Sequence, residues 1–232
     1  FPVLTDHFLK ANKNRSKNTQ DLYEYVLRSY NSGKPLPTNP NSRAIFVRTI
    51  NACWNWGLKT GLIDKANKLV EDTKGVARQR VYSKDELDLM FNEIRDDDFN
   101  RFVKFAYYTG ARSGEIRHIQ PQNLSDGSLV AFGKTGRRII KISTQASTLI
   151  AKQSPLWNYS KDYVSHHFKK EVRRLGIKDA RFHDLRRTFG LNLIKQGMSI
   201  YKVSKLLGHK SVRTTEQHYA PLLTSEIEDF EL

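Results

Sequence analysis

Apolar residues recur at helical spacing along most of the chain and switch to a strand-like pattern only once. Leu22, Val26 and Tyr30 follow one another at four-residue steps, and Phe46, Ile50, Trp54 and Leu58 repeat that spacing. Such positions share one face of an α-helix, so both runs predict amphipathic helices. The second starts behind a candidate cap at Ser42, and Gly57 and Gly61 loosen and end it. Between the two, Asn31–Asn41 holds Gly33, Pro35, Pro37 and Pro40 and predicts a loop. Helical signals thus dominate from Phe1 to about Val70. A fresh pattern opens at Ser83, which forms a capping box with Glu86 ahead of the stripe Leu87, Met90, Phe91 and Ile94. The next helix runs from about Phe99 to Thr109 and stops at Gly110. Between about Ser128 and Ile142 the period becomes that of strands, with Gly133-Lys134-Thr135-Gly136 as a hairpin turn between Leu129–Phe132 and Arg137–Ile142. Helices are predicted again near 144–152, 160–175 (closed by Gly176), 184–196, 200–207 and 211–219. The fold class is therefore mainly α with a small β-sheet (α+β).

Glu71–Arg80 loses the apolar periodicity and collects Lys74, Arg78 and Arg80. This divides the chain into a helical domain at 1–72, a basic linker at 73–82, and a second domain with a C-terminal tail at 83–232. The linker's charge fits either a solvated face or a crossing over a polyanion. Over the whole chain, 39 Lys and Arg oppose 24 Asp and Glu, a net charge of +15. Positions 1–80 alone carry 14 bases and 6 acids. Such an excess repels itself unless the partner is a polyanion, and nucleic acid is the commonest one. A ribosomal or chromatin-like basic protein has the same balance. The single cysteine, Cys53, excludes an internal disulfide and a cysteine-based zinc site. It lies in an apolar helical run and reads as a small core residue in a reducing compartment. No run of about 18 apolar residues is present to span a membrane, and no signal peptide is visible. Phe1 in place of Met suggests a trimmed fragment or a processed product.

Three segments place cations and imidazoles beside helix punctuation. They are Thr109-Gly110-Ala111-Arg112-Ser113-Gly114-Glu115, then His183-Asp184-Leu185-Arg186-Arg187-Thr188, then Leu207-Gly208-His209-Lys210-Ser211 with Tyr219 ten positions after His209. In this order and spacing, with Lys134 in a hairpin between the first two, they resemble the signature of the tyrosine recombinases of the phage-integrase type. The resemblance covers about residues 83–221; the part before it matches only as a small, basic, helical domain.

The resemblance implies Arg112, Lys134, His183, Arg186, His209 and Tyr219 as catalytic residues, supported by Glu115. The chemistry of the residues agrees. A phosphodiester under attack gathers charge on its non-bridging oxygens, and a planar guanidinium donates paired hydrogen bonds to such oxygens, which suits Arg112 and Arg186. Arg187 is the rival to Arg186, but one helical step turns it about 100° away, toward DNA or solvent. His183 and His209 titrate near neutrality and suit proton transfer and phosphate donation, His183 as the acceptor and His209 as the donor. Tyr219 is the nucleophile, whereas Tyr107, Tyr108, Tyr159 and Tyr163 lie in apolar or amphipathic stretches and read as packing residues. Lys134 is the general acid for the leaving 5′ oxygen, with Lys141, Arg137 and Arg138 as rivals. Glu115 orients Arg112 or a histidine, or else caps a helix starting near Ser113. Lys74, Arg78, Arg80, Arg137, Arg138 and Arg187 are expected to bind DNA.

No carboxylate cluster for two metal ions and no Walker-type phosphate loop is present, so neither a metal nor another cofactor is expected. The resemblance also implies a two-domain C-shaped clamp on double-stranded DNA, in which 1–72 binds the core site. It implies a homotetramer on two DNA sites, a Holliday-junction intermediate and a 3′-phosphotyrosine link. The protein is expected to be a monomer without DNA, in the cytoplasm of a bacterial or archaeal cell. The acidic, apolar tail from Pro221 to Leu232 reads as a short amphipathic helix docking on a neighbour, or as a frayed end or intramolecular lid. Two alternatives remain: a type IB topoisomerase-like nicking-closing enzyme, and a non-catalytic DNA-binding regulator.

Overall fold

The structure, a computed structural model, describes residues 1–133, 136–151 and 157–224. Its contacts divide it into two compact units, Phe1–Ala77 and Arg78–Leu232. The hairpin residue Lys134 and tail positions 225–232 lie outside the described residues.

The first unit packs three helices, α1 (Pro2–Ala11), α2 (Lys17–Asn31) and α3 (Pro40–Lys59). Leu4, Phe8, Val26, Leu27, Phe46, Ile50, Cys53 and Trp54 form its core. The cap of α3 is Asn39, not Ser42: the Asn39 side chain accepts from the amides of Asn41 and Ser42. Pro40 follows at the first helical position, where a missing N–H costs nothing. Gly57 does not loosen α3. A Cβ there would lie 2.7 Å from Leu4 Cδ1, so this glycine lets α1 pack closely. The predicted stripes run out at their ends, since Leu22 and Leu58 are both exposed. Beyond α3 the chain returns along it. The Asn51 side chain donates to the Leu69 carbonyl (2.9 Å) and accepts from the Leu69 amide (2.8 Å), and Arg43 pairs with Glu71.

The second unit begins with α4 (Lys84–Glu93), started by the Ser83–Glu86 capping box. Next come α5 (Asp97–Thr109), the short α6 (Ser113–Ile116), a 3₁₀ turn at Pro121–Asn123, and a three-stranded antiparallel sheet in the order β1-β2-β3. The strands are β1 (Leu124–Ser125), β2 (Ser128–Gly133) and β3 (Gly136–Lys141). Leu129 faces Ile140 across the β2–β3 ladder, and Ala131 faces Arg138. Leu129, Ala131 and Ile140 point into the core while Phe132 and Ile139 point out. The two-residue β1 is too short to leave a period in the sequence. Five helices follow: α7 (Thr144–Ala151), α8 (Lys161–Arg174), α9 (Phe182–Lys195), α10 (Ile200–Leu207) and α11 (Val212–Thr224). Helix α11 does not stop before Pro221 but runs through it. Pro221 sits within its last turn, where it removes only one helical donor.

The main core of this unit gathers Phe99, Phe102, Phe105, Trp157, Phe168 and Leu185 between the helices and the sheet. A smaller cluster of Leu191, Val203, Leu207 and Tyr219 joins α9, α10 and α11. It lies beside the three sequence segments singled out above.

Candidate active site

Helix α5 ends at Gly110 in the left-handed region, φ 60°, which a side-chain-bearing residue adopts only at a cost. A Cβ at Gly110 would also meet the Phe189 ring at 2.4 Å. The chain then turns so that Arg112 becomes the N-cap of α6. Glu115, in the first turn of α6, accepts from the Arg112 amide at 2.7 Å and from Arg112 Nη1 at 3.0 Å. The same buried carboxylate takes a two-pronged pair from Arg138 on β3, Nε at 2.8 Å and Nη2 at 2.9 Å. Glu115 thus joins two guanidiniums. Burial works against its ionised form, but the bonds from Arg138 and the Arg112 amide prevail and hold its pKa down to about 2.

Arg186 sits on α9 and is only 4 % exposed. Its Nη1 donates to the Gly110 carbonyl at 2.6 Å and its Nη2 to the Leu207 carbonyl. These carbonyls lie at the ends of α5 and α10, where a helix presents partial negative charge. One guanidinium therefore pins two helix ends. Desolvation, then repulsion from Arg112 and Arg138, lowers the Arg186 pKa to about 9, so it remains a cation at neutral pH.

Helix α10 stops at Gly208, again left-handed at φ 63°, and delivers His209. The His209 amide donates to the Ser204 carbonyl at 3.0 Å, and its Nδ1 lies 2.8 Å from Thr215 Oγ1 on α11. Desolvation, with Arg186, Arg112, His218 and Arg138 behind it, pushes His209 down to about 4. His183, at the start of α9, keeps an exposed face. Partial desolvation together with Arg186, Arg187 and Arg112 brings it to about 4 as well. Both imidazoles are neutral at pH 7, able to accept a proton at one nitrogen and donate at the other.

Tyr219 is 2 % exposed and sits in the α9–α10–α11 cluster. Its hydroxyl packs so closely on α9 that a Cβ on Gly190 would lie 2.2 Å from it. Burial pushes the phenol up to about 12, although Arg186 and Arg187 pull the other way. The hydroxyl is thus interior yet within the field of the site's cations. His218 precedes it, with its ring centroid 6.5 Å from that of His209 and its Nδ1 buried without a partner.

Several of the residues expected to bind DNA are engaged internally. Arg187 donates to Asp184 at 2.7 Å, and Arg78 donates to Asp184 at 2.8 Å and to Asp179 at 2.9 Å. Asp184 is wholly buried. Arg80 pairs with Glu86 and lies over the Tyr82 ring. Arg138 is spent on Glu115 and on the Leu206 carbonyl. The physical reason is common to all four: a guanidinium withdrawn from water must be paired. Lys74 and Arg137 are exposed, and Lys134 is not among the described residues. Sequence reasoning missed Asp184 altogether. Its one local signal was its place three residues after Arg181, where it accepts from the Arg181 amide in a capping arrangement.

Beside His183 opens a groove of about 840 Å³, with Lys169, Arg173, Lys178 and Arg181 among its lining residues. Among the described residues, no group of His, Cys, Asp and Glu is spaced to hold a metal ion, and no helix is long and apolar enough to cross a membrane. The arrangement can bind an anion through Arg112 and move a proton through neutral imidazoles, while the Tyr219 phenol lies buried against α9 in the field of Arg186 and Arg187.

The sequence profile of the phage integrase family matches residues 80–226. A curated relative, tyrosine recombinase XerA of Saccharolobus solfataricus, is 24 % identical over 165 residues, covering 66 % of this chain and 56 % of that protein. The chain thus spans little more than half of that relative's length. Among solved structures, a lambda integrase dimer bound to a COC′ core site has a TM-score of 0.82 at 18 % identity and covers 100 % of this chain and 99 % of that one. A lambda integrase tetramer bound to a Holliday junction has a TM-score of 0.77 at 18 % identity, over 93 % of this chain and 76 % of that one. At these identities the likeness is one of fold.

Proposed function

The chain belongs to the phage integrase family, and from that premise we propose that it is a site-specific DNA recombinase that cuts and rejoins strands through Tyr219. The observation that carries this reading is the gathering of Arg112, Arg138 and Arg186 beside His209, where burial first, and then the neighbouring guanidiniums, lower the pKa of both Arg186 and His209. An anion between such groups relieves their repulsion, and a phosphodiester is the anion that a basic chain of +15 meets on DNA.

In the proposed reaction Arg112 and Arg186 bind the non-bridging oxygens. The Tyr219 hydroxyl oxygen bonds to phosphorus, and its proton passes to His183. The bond to the 5′ oxygen breaks, and Lys134 protonates that oxygen as it leaves. His209 donates to the phosphate as charge builds in the transition state. One phosphoester replaces another, so a free 5′ hydroxyl reverses the step. When that hydroxyl belongs to a second duplex, the strands have exchanged. Each role uses only side chains, with no step assigned to a metal or cofactor.

The same reading assigns 1–72 to the core site on double-stranded DNA and 73–82 to a linker, with catalysis in 83–232. It takes the partners to be DNA and three further copies, four protomers on two sites, with a monomer in the absence of DNA and action on DNA in the cytoplasm. Exposed Lys74 and Arg137 and the basic groove beside His183 supply cations for the flanking backbone.

Trapping on a nicked suicide duplex in the presence of EDTA tests the proposal. The wild-type chain is expected to form a covalent adduct, and Tyr219→Phe to bind DNA without one. A strict metal requirement, or an adduct that survives Tyr219→Phe, overturns it. Two labelled duplexes separate strand exchange from nicking and closing, because only exchange yields a junction.

A further inference from the structure

We propose that Arg138 is a positioning residue that holds the His209 turn and Glu115 in register for catalysis, and is not a DNA contact. The inference rests on the recombinase reading for its catalytic consequence but on geometry for the position itself.

Arg138 is 12 % exposed at its side chain. Its Nε and Nη2 grip the two oxygens of Glu115, and its Nη1 donates to the Leu206 carbonyl at 2.9 Å. These bonds place one residue of β3 between α6 and the end of α10. Arg186 takes the next carbonyl, that of Leu207. Two consecutive carbonyls at the end of α10 are thus held by arginines from different elements, β3 and α9. A single tether leaves a helix end free to pivot about it, whereas two tethers from different directions do not. The turn that follows is closed over the Arg138 side chain: a Cβ at Gly208 would lie 2.7 Å from Arg138 Cδ and 2.8 Å from its Nη1. Gly208 therefore meets two requirements, a left-handed backbone and room for Arg138. His209 is the next residue.

Arg138 also sets the charge balance. Glu115 answers both Arg112 and Arg138. The groups acting on His209 are Arg186 from α9, Arg112 from α6, His218 from α11 and Arg138 from β3. Removing Arg138 leaves Glu115 to Arg112 alone, releases the Leu206 carbonyl, and takes one cation away from His209.

The test uses the full chain with Arg138→Met, which keeps length without charge, and Arg138→Lys, which keeps charge but cannot grip Glu115 and the Leu206 carbonyl together. Thermal melting verifies that each variant folds, and Arg138→Lys carries the test if Arg138→Met does not. For Arg138→Met, DNA affinity and its salt dependence are expected to stay as in the wild type. Cleavage at saturating DNA is expected to fall about 100-fold, the scale on which misplacing a reacting group acts. Arg138→Lys is expected to recover part of that loss. The His209 imidazole, followed by NMR without DNA, is expected to titrate at higher pH in Arg138→Met. A salt slope reduced by about one with normal cleavage at saturation marks a phosphate contact and overturns the proposal, as does an unmoved His209 titration. If the wild-type chain forms no adduct, the recombinase reading fails, while displaced His209 NMR signals in Arg138→Lys, which keeps the charge, still decide whether Arg138 positions that turn.

Discussion

Gly190→Ala tests whether the buried position of Tyr219 is a resting state. The perturbation is one methyl group on α9. Its carbon would stand 2.2 Å from the Tyr219 hydroxyl, 2.6 Å from Cζ and 3.1 Å from Leu207 Cδ1. Ordinary contact begins more than an ångström farther out, so the ring has to leave or α9 has to bend. Overpacking of this kind costs about 1–3 kcal/mol. Alanine in place of glycine inside a helix gives back roughly 0.5–1 kcal/mol, so the fold should survive with a small change in melting temperature. The penalty falls on the tucked conformer alone, because a released ring does not meet the methyl. The tucked-to-released ratio therefore shifts by a factor of about 5–150. A residue 2 % exposed has to be released before its oxygen reaches a phosphate. Faster adduct formation on a nicked suicide duplex is the expected outcome, with DNA affinity unchanged. Release should also bring the phenol down from about 12 toward the ordinary tyrosine value of about 10. Ultraviolet titration reads this as the difference between Gly190→Ala and Gly190→Ala/Tyr219→Phe. A slower adduct rate in a folded variant would refute the reasoning and make the tucked position the attacking one.

Arg112→Ala and Arg186→Ala should both lower cleavage by at least about 100-fold, the scale of losing one transition-state donor. Only Arg186→Ala should also lower the melting temperature, because it strips donors from the Gly110 and Leu207 carbonyls at about 1–3 kcal/mol each. Arg112, with its side chain 35 % exposed, leaves no buried carbonyl behind; equal melting of the two variants would contradict this division. Asp184→Asn should destabilise the second unit by about 3–5 kcal/mol, the cost of breaking a buried pair, since it takes the carboxylate from Arg187 and leaves Arg78 only Asp179; a melting transition unchanged by the substitution would sink that account. Stability should fall with acidification from about pH 7 to pH 4. His183 and His209 lie near 4 when folded and near 6.5 when unfolded. The unfolded chain therefore binds more protons in that window, and stability is lost as pH falls. Melting curves from pH 8 to pH 4 should flatten in His183→Ala/His209→Ala, and an identical slope in that variant would exclude these imidazoles as the cause.

What the chain's pattern disclosed, and what it hid, follows from the range of each interaction. The Ser83–Glu86 box, the Gly110 stop of α5 and the β2–β3 hairpin depend on neighbours a few residues apart, and each was readable in place. The identities of Arg112, Arg186, His209 and Tyr219 were readable for another reason: their spacing resembles a family signature. Their partners were not. Arg186 reaches across 76 residues to Gly110, Arg78 across 106 to Asp184, and Arg138 across 68 to Leu206, and no periodicity records such pairs. Outside the family signature, composition gives Arg78, Arg80, Arg138 and Arg187 the same expectation, DNA or solvent. Burial separates them, because a guanidinium removed from water has to find carboxylates or carbonyls inside the protein. The internal pairing also has a consequence for the site. Glu115 and three helix-end carbonyls hold Arg138 and Arg186 in place, so in the proposed reaction the cations are oriented beforehand and little reorganisation is left. The cost is visible in the same numbers: burial first, then Arg112 and Arg138, work against the charge of Arg186, and Glu115 offsets them only in part. In the proposed reaction a phosphate adds negative charge among these guanidiniums, and their mutual repulsion becomes part of the affinity for DNA.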